Sequence, residues 1–292
     1  MILGALVAGV GRLPRRPAAW LGRRLGDAGY LLLGARRRGA LANLAIAFPD
    51  LPATERRRLC RRSFQHLGLV AVELCVALAR PLERVLERVR LHGLEHLRAA
   101  MARHGRVLVL TAHLGNWELL AIAHRLTGFP LAVVVRPLDA RALNALAERL
   151  RRKAGVELLT KRGALRAVLS ALHRARMVGV LLDQNASRRE GVFVPFFGRP
   201  ASTSKSLALL ATRTRTPVLP IFTCREADGG HRVTIHPPLE APETPDAERA
   251  IIELTMRCNE AIEAAVRRTP EQWLWIHRRW RTRPGAERGA AG

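Results

Sequence analysis

Short apolar runs alternate with amphipathic stretches from residue 107 onward. The apolar runs predict seven strands, at Val107 to Thr111, Leu131 to Val135, Val156 to Leu159, Val178 to Leu182, Val192 to Val194, Val218 to Phe222 and Arg232 to His236. The intervening stretches predict helices, at Glu118 to Leu126, Ala140 to Lys153, Ala164 to Ala175 and Ser204 to Thr214. Apolar strands separated by helices are typical of a largely parallel sheet covered on both faces. We therefore expect an α/β fold with a central parallel or mixed sheet.

The flanking sequence predicts further helices. A proline-containing break at residues 48–52 separates an N-terminal segment from a helix that begins near Thr54 and ends near Ala79. Another helical piece follows at Leu82 to Val89, and a long helix at Asp246 to Arg267 leads into a tryptophan-rich tail. We expect an N-terminal membrane-facing segment at residues 1–48, one α/β domain at 49–282 and a disordered tail at 283–292.

The N-terminal segment combines apolar residues with arginine. Its charges follow the apolar start, whereas a signal peptide carries them before it. No run there approaches the roughly 20 apolar residues that span a bilayer. Arginines around Trp20 instead predict amphipathic helices that lie in the membrane interface. The segment predicts peripheral or monotopic attachment to anionic membrane lipids.

The net charge of +25 narrows the possible partners. Such a charge attracts polyanions, although only three of the 49 basic residues are lysines, so a general arginine bias contributes. Aromatic residues make up 4% of the chain, too few for a base-stacking platform, and we expect no specific nucleic acid partner. The four cysteines form no CxxC pair, which argues against a disulfide framework or zinc site. We predict neither a metal nor a cofactor.

The stretch His113-Leu114-Gly115-Asn116-Trp117-Glu118 follows an apolar strand and carries the most informative chemistry. An imidazole can take a proton from a hydroxyl, and a carboxylate can hold that imidazole in the useful tautomer. A surface histidine and a first-turn glutamate produce the same spacing. Ligands collect beyond the carboxyl ends of parallel strands, where the polar residues Arg136 and Asp183-Gln184 also fall.

Several motifs occur in a fixed order. They are His113-x4-Glu118, Arg136-Pro137, Arg151-x3-Gly155, Asp183-Gln184, the run from Pro195 to Thr203, and Trp273-x-Trp275-x-His277-Arg278-Arg279-Trp280. Together with Asn43-Leu44-x3-Phe48-Pro49 and Glu73, this set resembles the lipid A biosynthesis acyltransferases of the late (lauroyl/myristoyl) type, over residues 35 to 282. Those enzymes belong to the wider lysophospholipid acyltransferase group.

The resemblance implies an acyltransferase with a glycerolipid-acyltransferase-like fold at the cytoplasmic face of the bacterial inner membrane. His113 would be the general base and Glu118 would orient it. Substrate binding would fall to Arg136, Arg151, Asp183, Gln184 and Asn116, with the arginine clamping a phosphate and Asp183 positioning the acceptor or holding that arginine.

The resemblance also implies the substrates. The donor would be an acyl chain on acyl carrier protein or coenzyme A, and the acceptor a hydroxyl of a lipid A precursor or similar glycolipid. A phosphatidylinositol mannoside, an ornithine lipid or a lysophospholipid stays an alternative acceptor.

Overall fold

The computed structural model describes residues 2–135, 141–160, 164–174 and 176–285. Its strands are β1 (Val89–His92), β2 (Val107–Thr111), β3 (Leu131–Val135), β4 (Glu157–Thr160), β5 (Met177–Leu181), β6 (Gly191–Phe196), β7 (Arg199–Ser204), β8 (Val218–Arg225) and β9 (His231–Ile235). Its α-helices are α1 (Ile2–Arg12), α2 (Arg15–Leu32), α3 (Gly34–Ala47), α4 (Ala53–Ala79), α5 (Leu82–Leu86), α6 (Leu94–His104), α7 (Trp117–Ala123), α8 (Arg141–Lys153), α9 (Ala164–His173), α10 (Ser206–Thr214) and α11 (Ala247–Arg268). Short 3-10 helices follow at His124–Leu126 and Pro270–Gln272.

Seven strands form one mixed sheet in the order β1-β9-β8-β2-β5-β3-β4. The neighbours β8, β2, β5, β3 and β4 run parallel to one another. Strand β9 is antiparallel to β8 and parallel to β1. The predicted α/β fold with a largely parallel, helix-flanked sheet is confirmed.

Helices cover both faces of the sheet because alternate residues of each central strand point to opposite sides. On β2, Leu108 and Leu110 belong to a core shared with α3, α9, α10 and α11. Val107 and Val109 belong to a second core, shared with α4, α5, α6, α7 and α8. Burial on both faces explains why β2 reads as a continuous apolar run.

Two strands were not predicted from the sequence. The helical pattern expected to continue to Val89 ends at Leu86, because the chain then pairs with β9 as β1. Strand β7 has a polar sequence, and it pairs with β6 in a hairpin apart from the main sheet. The predicted strand at Val192 to Val194 is therefore present, but outside the central sheet. Ala140 and Ala175, two predicted helix ends, lie outside the described residues.

The first three helices pack on the α/β core. Gly22 and Gly26 of α2 lie against the backbone around Gly68 of α4, so closely that a β-carbon would overlap it. Asn43 of α3 donates hydrogen bonds to the carbonyl oxygens of Trp275 and His277, at 2.7 and 2.5 Å. The predicted domain boundary at residue 48 stays a prediction. Residues 286–292 of the predicted tail lie outside the described part of the chain.

Within the described residues, α4 alone is long and apolar enough to cross a membrane. Half of its most apolar 18-residue stretch is buried in the protein, and core helices often share this length and composition. Helix α4 packs against α1, α2, α3, α7 and α8. These contacts are those of a core helix.

Candidate active site

Two neighbouring parallel strands bring together side chains that lie 70 positions apart. Strands β2 and β5 pair with Thr111 opposite Leu181. His113 and Asp183 each follow two residues later, so they meet beyond the carboxyl ends of these strands. The site therefore lies where a parallel sheet commonly binds its ligands.

Asp183 holds His113 through two hydrogen bonds. The imidazole Nδ1 lies 2.8 Å from Asp183 Oδ1, and the His113 backbone N–H donates to Oδ2 at 2.9 Å. Trp273 Nε1 also donates to Oδ2, at 2.8 Å. Asp183 is 2% exposed, so little water competes for its oxygens. The carboxylate is thus fixed by three donors.

The charge state of Asp183 follows from these contacts. Burial raises the pKa of its carboxyl, but the His113 side chain and the donated hydrogen bonds outweigh burial and lower that pKa below its usual value. An ionised Asp183 accepts a hydrogen bond from the Nδ1–H group of His113, because a carboxylate cannot donate. The Nε2 lone pair of His113 is then directed away from the acid.

Gln184 lies beside Nε2 of His113, the ring nitrogen that does not contact Asp183. Its Nε2 lies 3.4 Å from Nε2 of His113, a distance at which the amide can donate weakly to the lone pair. The ring of Trp117 packs edge-on against His113, with centroids 5.2 Å apart. The His113 side chain keeps 16% of its surface exposed. A hydroxyl placed beside Gln184 could therefore reach Nε2.

Glu118 has a different partner from the one predicted. Both of its carboxylate oxygens accept hydrogen bonds from Arg151, at 2.9 Å from Nε and 2.6 Å from Nη2. The carboxylate on the imidazole belongs to Asp183 and not to Glu118, so a role of Glu118 in the reaction stays a prediction. Arg151, predicted to clamp a phosphate or to be held by Asp183, is instead paired with Glu118. This buried pair joins α7 to α8.

Both polar groups of the Asn116 side chain form hydrogen bonds within the protein. Its Oδ1 accepts from the Leu119 backbone N–H at 3.0 Å and caps α7, and its Nδ2 donates to Glu73 at 2.7 Å. The residue is 3% exposed. The structure shows Asn116 as a helix cap, and its predicted contact with the substrate stays a prediction. Arg136, another predicted ligand, lies outside the described residues.

The tryptophan-rich tail supplies site contacts that sequence reasoning missed. Besides the Trp273 contact to Asp183, the Leu274 N–H donates to the His113 carbonyl at 3.1 Å, and Gly115 N–H donates to the Gln272 carbonyl at 3.0 Å. The unusual density of tryptophan was the one available signal, and it indicated packing or interface anchoring instead of a place in the site. Packing is also observed, since Trp273, Trp275 and Trp280 lie against Phe196 or Phe197.

His277 fixes the chain just after Asp183. Its Nε2 accepts from the Asn185 backbone N–H at 2.9 Å. Burial is the main cause that lowers the pKa of His277, to about 4. The imidazole is therefore neutral near pH 7 and can accept this hydrogen bond.

Most of the chain matches known bacterial proteins. The family model of bacterial lipid A biosynthesis acyltransferases matches residues 2–282. The chain is 30% identical over 280 residues to a lipid A biosynthesis palmitoleoyltransferase of Escherichia coli (strain K12), covering 94% of this chain and 89% of the relative. A lipid A biosynthesis lauroyltransferase of the same strain is 28% identical, covering 90% of this chain and 85% of the relative. A lipid A biosynthesis myristoyltransferase of that strain is 24% identical, covering 97% of this chain and 87% of the relative. The chain therefore belongs to the bacterial lipid A biosynthesis acyltransferase family.

Proposed function

We propose that this protein transfers a fatty acyl chain from a thioester donor to a hydroxyl of a lipid A precursor, with His113 as the general base. The observation that carries this proposal is the hydrogen bond between His113 Nδ1 and Asp183. In the neutral imidazole this hydrogen bond keeps the proton on Nδ1, so that Nε2 is the nitrogen that can accept a proton. Asp183 takes the orienting role first predicted for Glu118.

The proposed reaction is a direct transfer between the two substrates, in which His113 carries the proton. Nε2 of His113 accepts the hydroxyl proton while the hydroxyl oxygen attacks the thioester carbonyl carbon. The resulting tetrahedral intermediate collapses, the carbon–sulfur bond breaks, and the ester remains on the acceptor. The imidazolium then returns its proton to the leaving thiolate. His113 thus ends the cycle in its starting state.

Asp183 contributes most when His113 carries the proton. A buried carboxylate against Nδ1 stabilises the imidazolium and prevents the ring from turning. Trp273 and the His113 backbone N–H hold the carboxylate in place during this charge change. The acid stays ionised because its pKa already lies below the usual value.

We propose acyl carrier protein as the donor and the bacterial inner membrane as the place of reaction. The net charge of +25 suits both an acidic carrier protein and an anionic lipid surface. Large apolar side chains of the first helices and their junctions are exposed, namely Leu6, Trp20, Leu25, Leu31, Leu32 and Leu33. Arginines interleave with them along the chain. Such a surface can lie in the interface on the cytoplasmic side.

The direct test is transfer of a labelled acyl chain from acyl carrier protein to a lipid A precursor. His113→Ala should abolish transfer in a folded protein. The matched control is His173→Ala, because His173 is an exposed histidine at the end of α9, and it should keep full activity. Full activity in His113→Ala would refute the proposal.

Mass spectrometry of membrane lipids tests the acceptor. Cells that lack the protein should accumulate a lipid A species lighter by one acyl chain. An unchanged lipid A in those cells would contradict this acceptor while leaving the acyl transfer chemistry in place.

A further inference from the structure

A second charged cluster lies behind the loop that carries His113. We call residues 112–116, between β2 and α7, the His113 loop. The Glu73 cluster consists of Glu73 on α4, Arg225 and His231 on β8 and β9, and Asn116 of the loop. Glu73 accepts hydrogen bonds from both terminal nitrogens of Arg225, at 2.7 Å for Nη2, and from Asn116 Nδ2 at 2.7 Å. His231 Nε2 lies 3.3 Å from Glu73 Oε1.

Glu73 is charged in this cluster. Burial would raise the pKa of its carboxyl, but the Arg225 guanidinium more than compensates and holds that pKa well below its usual range. A charged acceptor makes a stronger hydrogen bond to Asn116 than a neutral one does. The cluster therefore provides a firm attachment point for the loop.

The contact between Glu73 and Asn116 decides which way the Asn116 amide faces. With Nδ2 directed at Glu73, Oδ1 is directed at the Leu119 backbone N–H, where it caps α7. The opposite orientation would set the amide oxygen against the carboxylate. Glu73 thus selects the capping orientation, and with it the path of the loop into α7.

Helix α4 makes one more contact with the same loop. His66 Nε2 lies 3.0 Å from the Gly115 carbonyl oxygen, which can only accept. Glu73 and His66 lie two turns apart on α4, so both are carried by one rigid element. Helix α4 thereby holds the loop at two neighbouring residues, Gly115 and Asn116.

From these contacts we infer that Glu73 is a positioning residue for the acyl transfer, acting through Asn116 on the loop that carries His113. The inference rests on the proposed role of His113. Glu73 touches neither His113 nor, in this role, the substrate. It acts by restricting the loop to the conformation in which Nδ1 meets Asp183 and Nε2 is presented to the acceptor.

The test uses an exchange of donor and acceptor between the two residues. Glu73→Gln weakens the contact, and Asn116→Asp places two carboxylates face to face. Each single variant should lower kcat by about tenfold or more, because small misplacements of a catalytic group have effects of this order. KM for acyl carrier protein carrying its acyl chain should change less than twofold.

The double variant Glu73→Gln/Asn116→Asp restores one donor and one acceptor and keeps a negative charge beside Arg225. It should recover more than half of the lost kcat on a logarithmic scale.

Further variants separate positioning from general stability. Asn116→Ser keeps an oxygen that can cap α7, but its side chain is too short to reach Glu73, so its kcat should fall. This variant tests the inference even if the Glu73→Gln protein does not fold. Glu253→Gln is the control, because Glu253 pairs with Arg257 on α11, and it should leave kcat unchanged. Circular dichroism melting curves will check that each variant is folded at the assay temperature.

The outcomes distinguish this inference from the proposed function. If His113→Ala is inactive while folded Glu73→Gln and Asn116→Ser keep kcat within twofold of the parent, Glu73 has no positioning role. If the exchange variant is folded but as slow as the single variants, the route through Asn116 is wrong. If His113→Ala is active, the proposed function itself fails.

Discussion

At Gly115 the backbone adopts a φ of +59° and passes directly against the Thr223 carbonyl oxygen. A β-carbon at this position would overlap that oxygen. Gly115→Ala should therefore displace the His113 loop from β8 and remove most of the activity. Single-turnover transfer of a labelled acyl chain measures the loss.

Gly105 provides the matched comparison. It also has a positive φ, +66°, but no atom lies within 4 Å of the position that a β-carbon would take. Gly105→Ala should destabilise the protein by about 1–2 kcal/mol, the usual penalty for a left-handed alanine, and keep its activity. Equal loss of activity in both variants would show that crowding at Gly115 does not hold the loop.

The sequence contained both members of the His113–Asp183 pair but not the pairing itself. His113 and Asp183 were both singled out because each follows an apolar run. Glu118 was chosen as the partner because it is close in sequence. Which strand lies beside β2 depends on tertiary structure. Among the described residues, two strands and three α-helices separate β5 from β2 along the chain. Sequence proximity therefore favoured Glu118 over Asp183.

Glu118 and Arg151 connect two elements, α7 and α8, through a buried bidentate ion pair. Removing one partner of such a pair leaves a buried charge without compensation and costs about 3–5 kcal/mol. Glu118→Leu should therefore lower the melting temperature markedly. The double variant Glu118→Leu/Arg151→Met should recover most of that stability, because apolar residues often replace buried ion pairs without loss. Thermal unfolding monitored by circular dichroism provides the comparison.

Activity of the same two variants tests what the ion pair does. If it only joins α7 to α8, transfer activity should return together with stability in the double variant. A stable double variant without activity would mean that Glu118 or Arg151 takes part in the reaction, as was first predicted.

Elements with a strong periodic pattern were predicted well, and those defined by their partners were not. Strands β2 and β3 have the predicted bounds. A strand that is buried on both faces consists of consecutive apolar residues, and such a run is visible in the sequence. Strand β1 was missed, and its first residue, Val89, was assigned to the preceding helix, since four residues are too few to show a strand pattern. Strand β7 was missed because its residues are mostly small and polar, and only its pairing with β6 identifies it.

At the scale of the whole molecule, the exposed large apolar side chains of the described residues are concentrated in the first 33 positions. Among the described residues, only Leu126 and Ile252 are exposed large apolar side chains elsewhere. We expect the protein to sediment with vesicles of phosphatidylglycerol and much less with phosphatidylcholine vesicles. Binding should weaken as salt is added, because arginine contributes through screened charge interactions. Leu31→Glu/Leu32→Glu should reduce the bound fraction by removing apolar insertion.

Ile252→Glu is the control for this surface. It replaces an exposed apolar residue on α11 with the same acid and should bind vesicles as the parent does. If the α2 variant and the α11 variant bind equally well, the membrane-facing surface lies elsewhere.

The most direct test of the central claim compares Asp183→Asn with Glu118→Gln in single-turnover acyl transfer. Asparagine can turn its amide toward Nδ1 and favour the wrong tautomer of His113, so Asp183→Asn should lower the rate by about 10³ to 10⁴-fold. Glutamine at position 118 can still accept a hydrogen bond from Arg151, and its rate should fall far less. A larger loss in Glu118→Gln than in Asp183→Asn would contradict the account and return the orienting role to Glu118.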